Sequence, residues 1–198
     1  MSQPYYDSDL SDEEWQQIEP LLPPEKPVGK GRKVDLRAVV NAIFYRADNG
    51  TKWRALPRDF PAWQTVYGYF RLWVKLEVWE AVNTALVRAV RTQAGREADP
   101  SLGIIDSQSV KLGQKGGEEH GFDGNKKVKG RKRHIVVDVL GLVLGCYVTS
   151  ANPADVKAAP ALLVWVIEQF KRLVKVLADQ GYRAGLIRSN KRETRLAK

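Results

Sequence analysis

Two short apolar runs each lead directly into an aspartate, and these carboxylates are the side chains best suited to chemistry. Residues 103–105 are followed by Asp106, and residues 173–178 are followed by Asp179. A carboxylate at the end of a buried strand needs a partner or a metal ion, because its charged form is costly out of water. If the two strands are neighbours in one sheet, both carboxylates meet at one point and could bind Mg²⁺ through oxygen.

The chain carries a large excess of positive charge. Its 198 residues include 32 Lys and Arg against 23 Asp and Glu, which gives a formal net charge of +9, and 43% of the residues are hydrophobic. This suits one ordinary domain or two small ones. The charge indicates a polyanionic partner, with nucleic acid favoured over a merely soluble basic protein. The sequence shows neither a run of ~20 apolar residues nor a signal peptide, so we expect a cytoplasmic protein.

The isolated cysteine, histidines and two further aspartates are not expected to do chemistry. Cys146 lies in an apolar strand pattern and is predicted to be a small core residue. His120 and His134 lack the spacing of metal ligands. Asp123 and Asp138 are predicted to stabilise turns.

Residues 1–95 are predicted to form a helical domain. Ser11 and Glu14 have the spacing of a capping box at the start of a first helix. A loop at residues 93–101 is expected to end the domain. Three further helices are indicated by apolar residues at helical spacing, over residues 35–50, 62–75 and 78–91.

The third predicted helix carries a polar stripe. Gln64, Gly68, Arg71 and Lys75 fall on one side of it, with a small residue where another backbone could approach closely. Several short helices with a polar, basic third member suit a helix-turn-helix domain in which Gln64, Arg71 and Lys75 face DNA. The alternative is that Arg71 and Lys75 form only a solvated face.

Residues 101–187 are predicted to form an incomplete RNase H-like α/β domain with the element order β-β-β-α-β, so the fold class is α+β. The helix is the crossover needed to lay the last strand parallel to the first, which would bring Asp106 and Asp179 to one edge of the sheet. Residues 188–198 are charged and almost without apolar periodicity. We expect them to form a tail outside the fold.

Dense cations interleaved with glycines lie between the first two predicted strands, over residues 111–133. Such a segment, entering next to Asp106, can grip phosphates close to a metal without reading sequence. The alternative is a solvated loop. The cations assigned here to DNA are Lys126, Lys127, Lys129, Arg131, Lys132 and Arg133.

Several motifs, in order along the chain, resemble bacterial insertion-sequence transposases of the insertion-sequence-five type. Residues 10–15 and 50–57 look like the DNA-binding region of that family. Residues 104–111 and 129–134 look like the start of its catalytic domain, and residues 178–182 look like its second acidic strand.

The resemblance implies a DDE transposase with an RNase H-like core, in which two aspartates and a glutamate hold two Mg²⁺ (or Mn²⁺) ions. One ion activates water or a 3′-hydroxyl, and the other stabilises the leaving oxygen. Asp106 and Asp179 match the first two acids, as catalytic and metal-binding residues. The implied partner is double-stranded DNA, at the terminal inverted repeats and at the target, bound by a homo-oligomer.

The third acid of the family has no counterpart at a matching position. Glu193 is the only acid after Asp179, and it lies in the expected tail. We therefore expect a carboxyl-terminally truncated, catalytically incomplete copy, produced by a premature end, a frame change or an internal deletion. Two alternatives are a non-catalytic DNA-binding remnant that regulates transposition and a stand-alone metal nuclease.

Overall fold

The computed structural model describes residues 5–24, 33–111, 121–124, 127–152, 155–178, 188–189, 192–193 and 195–197. The chain is α+β, with helices first and a mixed sheet after them. It divides into two compact units, Met1–Ala85 and Leu86–Lys198. The domain boundary expected in the loop at residues 93–101 stays a prediction. No helix of the described part is long and apolar enough to cross a bilayer.

The first helix begins at the predicted capping box. The Ser11 side chain accepts a hydrogen bond from the Glu14 amide at 3.2 Å, and the Glu14 carboxylate accepts one from the Ser11 amide at 2.8 Å. Two amides that no helical carbonyl can reach are thereby satisfied. Helix α1 is Asp12–Ile18, and a 3-10 turn at Glu19–Leu21 follows it.

All three further predicted helices are present. Asp35 caps the second by accepting a hydrogen bond from the Arg37 amide at 2.8 Å. Gly50 ends that helix with a φ of 63°, a left-handed conformation that favours glycine. The helices are α2 (Leu36–Asn49), α3 (Trp63–Lys75) and α4 (Val78–Gln93).

The link between α2 and α3 is longer than the turn of a helix-turn-helix motif. It comprises residues 50–62 and contains a 3-10 turn at Trp53–Ala55, whereas a helix-turn-helix joins its helices by three or four residues. Aromatic side chains pack this link against α3. The Trp53 ring lies 5.3 Å from the Tyr67 ring and 5.1 Å from the Phe70 ring of α3, measured between centroids.

The second unit contains the predicted β-β-β-α-β order with one additional short strand before the helix and further short strands after it. The elements are β1 (Leu102–Lys111), β2 (Gly121–Asp123), β3 (Val128–Val137), β4 (Val143–Ser150), α5 (Asp155–Gln169), β5 (Lys175–Ala178), β6 (Arg188–Ser189), β7 (Arg192–Glu193) and β8 (Arg195–Ala197). The main sheet has the strand order β2-β3-β1-β5-β8, with β4 paired to β3 as well.

Strand β1 is central to this sheet. It pairs antiparallel with β3, so that Asp106 lies opposite Ile135, and parallel with β5, so that Ile105 lies opposite Ala178. The crossover through α5 therefore does lay the last predicted strand parallel beside the first. Strand β1 also continues beyond Asp106 to Lys111, because β3 pairs with it along this whole length.

The hydrophobic core of the second unit lies between one face of the sheet and α5. Ile105 and Val136 from the sheet pack in one cluster with Leu162 and Val166 from α5. The helix approaches the sheet so closely at Gly145 that a Cβ there would lie 2.7 Å from a Val166 methyl carbon. Apolar side chains at alternate strand positions thus define the covered face.

The carboxyl-terminal residues depart from the prediction. We expected residues 188–198 to lie outside the fold, but β8 pairs parallel with β5, with Val176 opposite Leu196. Without β8 this edge of β5 would present unpaired amides and carbonyls, and backbone pairing does not require apolar periodicity.

Candidate functional site

Asp106 lies on the exposed side of β1. Ile105 and Ser107 are buried on the covered face. Ile104, Asp106 and Gln108 are exposed on the opposite face, which we call the open face. One Asp106 carboxylate oxygen accepts a hydrogen bond from the Ser107 amide at 2.7 Å. We expected a carboxylate at the end of a buried strand, whereas Asp106 lies in mid-strand and is accessible to solvent.

The structure describes only one of the two predicted acids. Ala178 is the last residue of β5 and pairs with Ile105, and each of these two residues is followed in the sequence by an aspartate. Asp179 itself lies outside the described residues. Of Glu193, the structure describes the backbone in β7, and its side chain lies outside the described part.

Among the side chains that the structure describes, Asp106 provides the one carboxylate at the junction of β1 and β5 that could bind a metal ion. Among them, no three His, Cys, Asp or Glu lie together as a possible metal site. A carboxylate oxygen is nonetheless the ligand type that Mg²⁺ and Mn²⁺ prefer. Asp106 fits the role of one such ligand, because its carboxylate is exposed and in no ion pair among the described residues.

A row of cations shares the open face with Asp106. Lys129, Arg131 and Arg133 are exposed at alternate positions of β3. Arg133 lies opposite Gln108 of β1, so this arginine is one pleat away from the Asp106 position on the neighbouring strand. Alternate residues of a strand point to the same face about 7 Å apart. Three of the cations assigned to DNA therefore form a continuous row beside Asp106.

Lys132 differs from this prediction. It is buried on the covered face, where its ammonium nitrogen lies 3.4 Å from an Asp123 carboxylate oxygen. The Ser109 hydroxyl donates to the same oxygen at 2.6 Å. Lys132 is thus one half of a buried ion pair, and Asp123, which we expected in a turn, is the other half. Side chains of a strand alternate between its two faces. Treating residues 128–137 as a strand would therefore have placed Lys132 on the opposite face from Arg131 and Arg133.

The remaining assigned cations of this segment lie in or near a turn. Lys127 is exposed between β2 and β3 and has a φ of 51°, in the left-handed region. Lys126 lies outside the described residues. Asp138 does stabilise a turn, as predicted, because its carboxylate accepts hydrogen bonds from the Leu140 and Leu142 amides at 2.8 and 2.9 Å. It also pairs with the buried Arg91.

Cys146 is exposed, contrary to the predicted core position. It lies opposite Ile135, which in turn lies opposite Asp106, so the three residues form one row across β4, β3 and β1. Partial burial raises the pKa of the Cys146 thiol, and the charge of Arg133 opposes this shift. The cysteine is therefore a natural chemical probe of the open face close to Asp106.

In the first unit, the predicted polar stripe of α3 is accessible. Gln64, Arg71 and Lys75 are all exposed. The Arg71 guanidinium lies 5.9 Å from the centre of the Tyr67 ring. Sequence reasoning missed Arg54, which is exposed and lies 5.4 Å from the Trp63 ring at the start of α3. The Arg54–Trp63 contact is not visible in the sequence, because it depends on the turn at Trp53–Ala55.

Comparison with known proteins yields two family matches, which cover successive parts of the chain. Residues 10–83 match the putative transposases of the IS4/5 family, and residues 97–195 match the transposase DDE domain. The chain is 35% identical over 118 residues to the insertion element IS402 uncharacterized 16.2 kDa protein of Burkholderia cepacia, covering 55% of this chain and 79% of that protein.

A second relative is more distant. It is the uncharacterized protein y4sN of Sinorhizobium fredii (strain NBRC 101917 / NGR234), which is 26% identical over 105 residues, or 53% of this chain and 78% of that protein. No solved structure matches the chain.

Two adjacent substitutions on β3 should differ sharply in their effect on stability. Lys132→Gln removes the cation of the buried Lys132–Asp123 ion pair and should lower the free energy of unfolding by about 3 kcal/mol or more. Arg133→Gln changes an exposed side chain and should alter the same quantity by less than about 0.5 kcal/mol. Urea unfolding followed by tryptophan fluorescence measures both. Equal losses would contradict the assignment of the two faces.

Proposed function

Because this chain belongs to the bacterial insertion-sequence transposases of the IS4/5 type and matches their DDE transposase domain, we propose that it binds the ends of a mobile DNA element. We further propose that the part of the sheet around Asp106 is built for metal-dependent DNA cleavage and strand transfer. The helical unit and the open face both contribute DNA contacts in this proposal.

The parallel register of β1 and β5 carries the proposal. Ile105 lies opposite Ala178, and in each strand the next residue of the sequence is an aspartate. If the pairing continues by one residue, Asp106 and Asp179 become neighbours on the same face. An RNase H-like core with its first two acids on adjacent strands would have this arrangement.

Asp106 and Asp179 would then hold the divalent ion through carboxylate oxygens. Bound Mg²⁺ or Mn²⁺ supplies Lewis-acid activation of the attacking hydroxyl and stabilises the leaving oxygen. The protein itself supplies the position of the DNA strand. Asp106 is exposed, so a phosphodiester can approach it from the open face without any rearrangement of β1.

The row of Lys129, Arg131 and Arg133 supports DNA binding at this face. Contacts of Lys and Arg with phosphates provide affinity that does not depend on base sequence. Since Arg133 lies opposite Gln108 on the strand that contains Asp106, DNA held by this row would run past the carboxylate. Lys132 is excluded from the proposed contact set because it pairs with Asp123.

A second candidate function is a non-catalytic DNA-binding regulator, and the number of acidic residues that match the family favours it. Asp106 and Asp179 match two of the three acids that the family resemblance implies, and no residue matches the third. Two carboxylates leave most of an octahedral Mg²⁺ shell to water. We therefore propose that the 198-residue chain binds DNA but cleaves it poorly, since a second metal ion would be weakly held.

DNA on the open face should protect Cys146 from alkylation. The thiol is exposed and is the chain's single cysteine, so its reaction with iodoacetamide, measured by mass spectrometry, needs no engineered label. Saturating duplex DNA should slow the reaction several-fold. In Lys129→Gln/Arg131→Gln/Arg133→Gln the protection should disappear.

Each variant is compared with and without DNA at one pH. This matters because Arg133 lowers the pKa of the Cys146 thiol, and its removal therefore slows alkylation even in free protein. The same triple variant should reduce the magnitude of the log K against log salt slope by about 0.9 for each phosphate that the protein no longer neutralises. Equal alkylation rates with and without bound DNA would show that DNA does not lie on the open face.

Cleavage assays should separate the two candidate functions. The purified chain with Mg²⁺ or Mn²⁺ should bind duplex DNA yet neither nick nor join it at a useful rate. Fusing it to a segment of another family member that contains the third acid should produce cleavage, and Asp106→Asn should abolish it again. Efficient metal-dependent cleavage by the chain alone, lost in Asp106→Asn, would overturn the regulatory candidate. If Glu193→Gln also removed that cleavage, Glu193 would be the third metal ligand. If the chain cut DNA of any sequence, a stand-alone metal nuclease would be favoured.

A further inference from the structure

The exposed side of α3 contains a glycine, Gly68, that neither the backbone conformation nor packing within the described residues requires. Gly68 lies near the middle of the helix and is exposed. A Cβ built there would meet no described atom within 4 Å, and its φ is not positive. Alanine would therefore fit without strain, and alanine is the more favourable residue in a helix interior. The missing side chain lowers helix stability, and packing within the described chain does not compensate for it.

The residues around Gly68 indicate what approaches it. Gln64 lies one turn before it, and Arg71 and Lys75 lie one and two turns after it, so the four share a stripe of the helix. The sequence of α3 contains no Asp or Glu. A helix face with cations, an amide and no acid is complementary to a polyanion.

Two guanidinium groups of this surface lie within cation–π range of aromatic rings. The Arg71 guanidinium is 5.9 Å from the centre of the Tyr67 ring, and the Arg54 guanidinium is 5.4 Å from the centre of the Trp63 ring at the amino-terminal end of α3. A guanidinium in such a contact retains hydrogen-bond donors for phosphate oxygens. Cations are therefore found at both ends of the stripe, with the glycine between them.

We propose that α3 binds duplex DNA with Gly68 at the point of closest approach, where the helix backbone lies directly against the DNA. In this arrangement Arg54, Arg71 and Lys75 contact phosphates on either side. The inference rests on the proposed function, because its partner is DNA, and goes beyond it by naming the surface and the residue that sets the distance. A second copy of the chain is the competing occupant, since Leu72 of α3 and Leu76 directly after the helix are 46% and 51% exposed.

The test is the substitution Gly68→Ala in the full chain. It should raise the urea midpoint of unfolding and at the same time weaken binding of a fluorescein-labelled mixed-sequence duplex roughly tenfold, as expected for an overpacked contact. Val74→Ala, at an exposed position away from the stripe, should leave DNA affinity unchanged. The comparison is repeated with Lys129→Gln/Arg131→Gln/Arg133→Gln as the background, so that binding by the second unit does not mask the effect.

The outcomes distinguish this inference from the proposed function. If the wild-type chain binds DNA and Gly68→Ala binds equally well, the role of Gly68 is wrong and DNA binding stands. If the wild-type chain does not bind duplex DNA, both are wrong. If Gly68→Ala leaves DNA affinity intact and changes the sedimentation of the free protein, the glycine contacts a second copy, and the DNA inference is overturned.

Discussion

The pairing of β1 between an antiparallel and a parallel neighbour is the constraint on which the candidate site depends. Backbone hydrogen bonds to β3 and β5 fix both the height and the orientation of every β1 residue that they reach. Because side chains alternate between faces with a period of two, a shift of one residue in this register would move Asp106 from the open face into the core. The position of the carboxylate is therefore set by backbone pairing, and the core residue Ile105 beside it keeps that register in place.

The two faces of the same sheet carry different chemistry for the same reason. On the covered face, apolar residues pack against α5, and the polar residues are satisfied locally, as in the Lys132–Asp123 pair. On the open face, Asp106 and the cations of β3 remain accessible. Adjacent residues of one strand thus have opposite roles, and Lys132 and Arg133 show this most directly. One stabilises the fold, and the other is available for a polyanion.

Local signals in the sequence predicted the elements well. The capping box at Ser11, the glycine at the end of α2 and the helical spacing of α3 and α4 depend only on near neighbours in the chain. The parallel placement of β5 followed from the crossover through α5. What the sequence did not reveal depends on partners distant in the chain. Cys146 was assigned to the core because its strand looks apolar on both faces.

Other misassignments have the same origin. Lys132 looks like its basic neighbours in the sequence, and only the pleat of β3 separates it from them. Strand β8 has no sequence signal, because strand addition at an edge needs no apolar pattern. For Asp179, the structure supports the site only through the residue before it, Ala178, and its pairing with Ile105.

We propose that Asp106 binds a divalent metal ion at the junction of β1 and β5. Paramagnetic broadening by Mn²⁺ in the amide NMR spectrum tests this without requiring activity or DNA. We predict that substoichiometric Mn²⁺ first broadens the amide signals of Ile105, Asp106 and Ser107, together with Ala178 on the paired strand, and that Asp106→Asn removes this broadening. Broadening centred on other acids, such as Asp12 or Asp99, and unchanged in Asp106→Asn would show that the metal does not bind at Asp106.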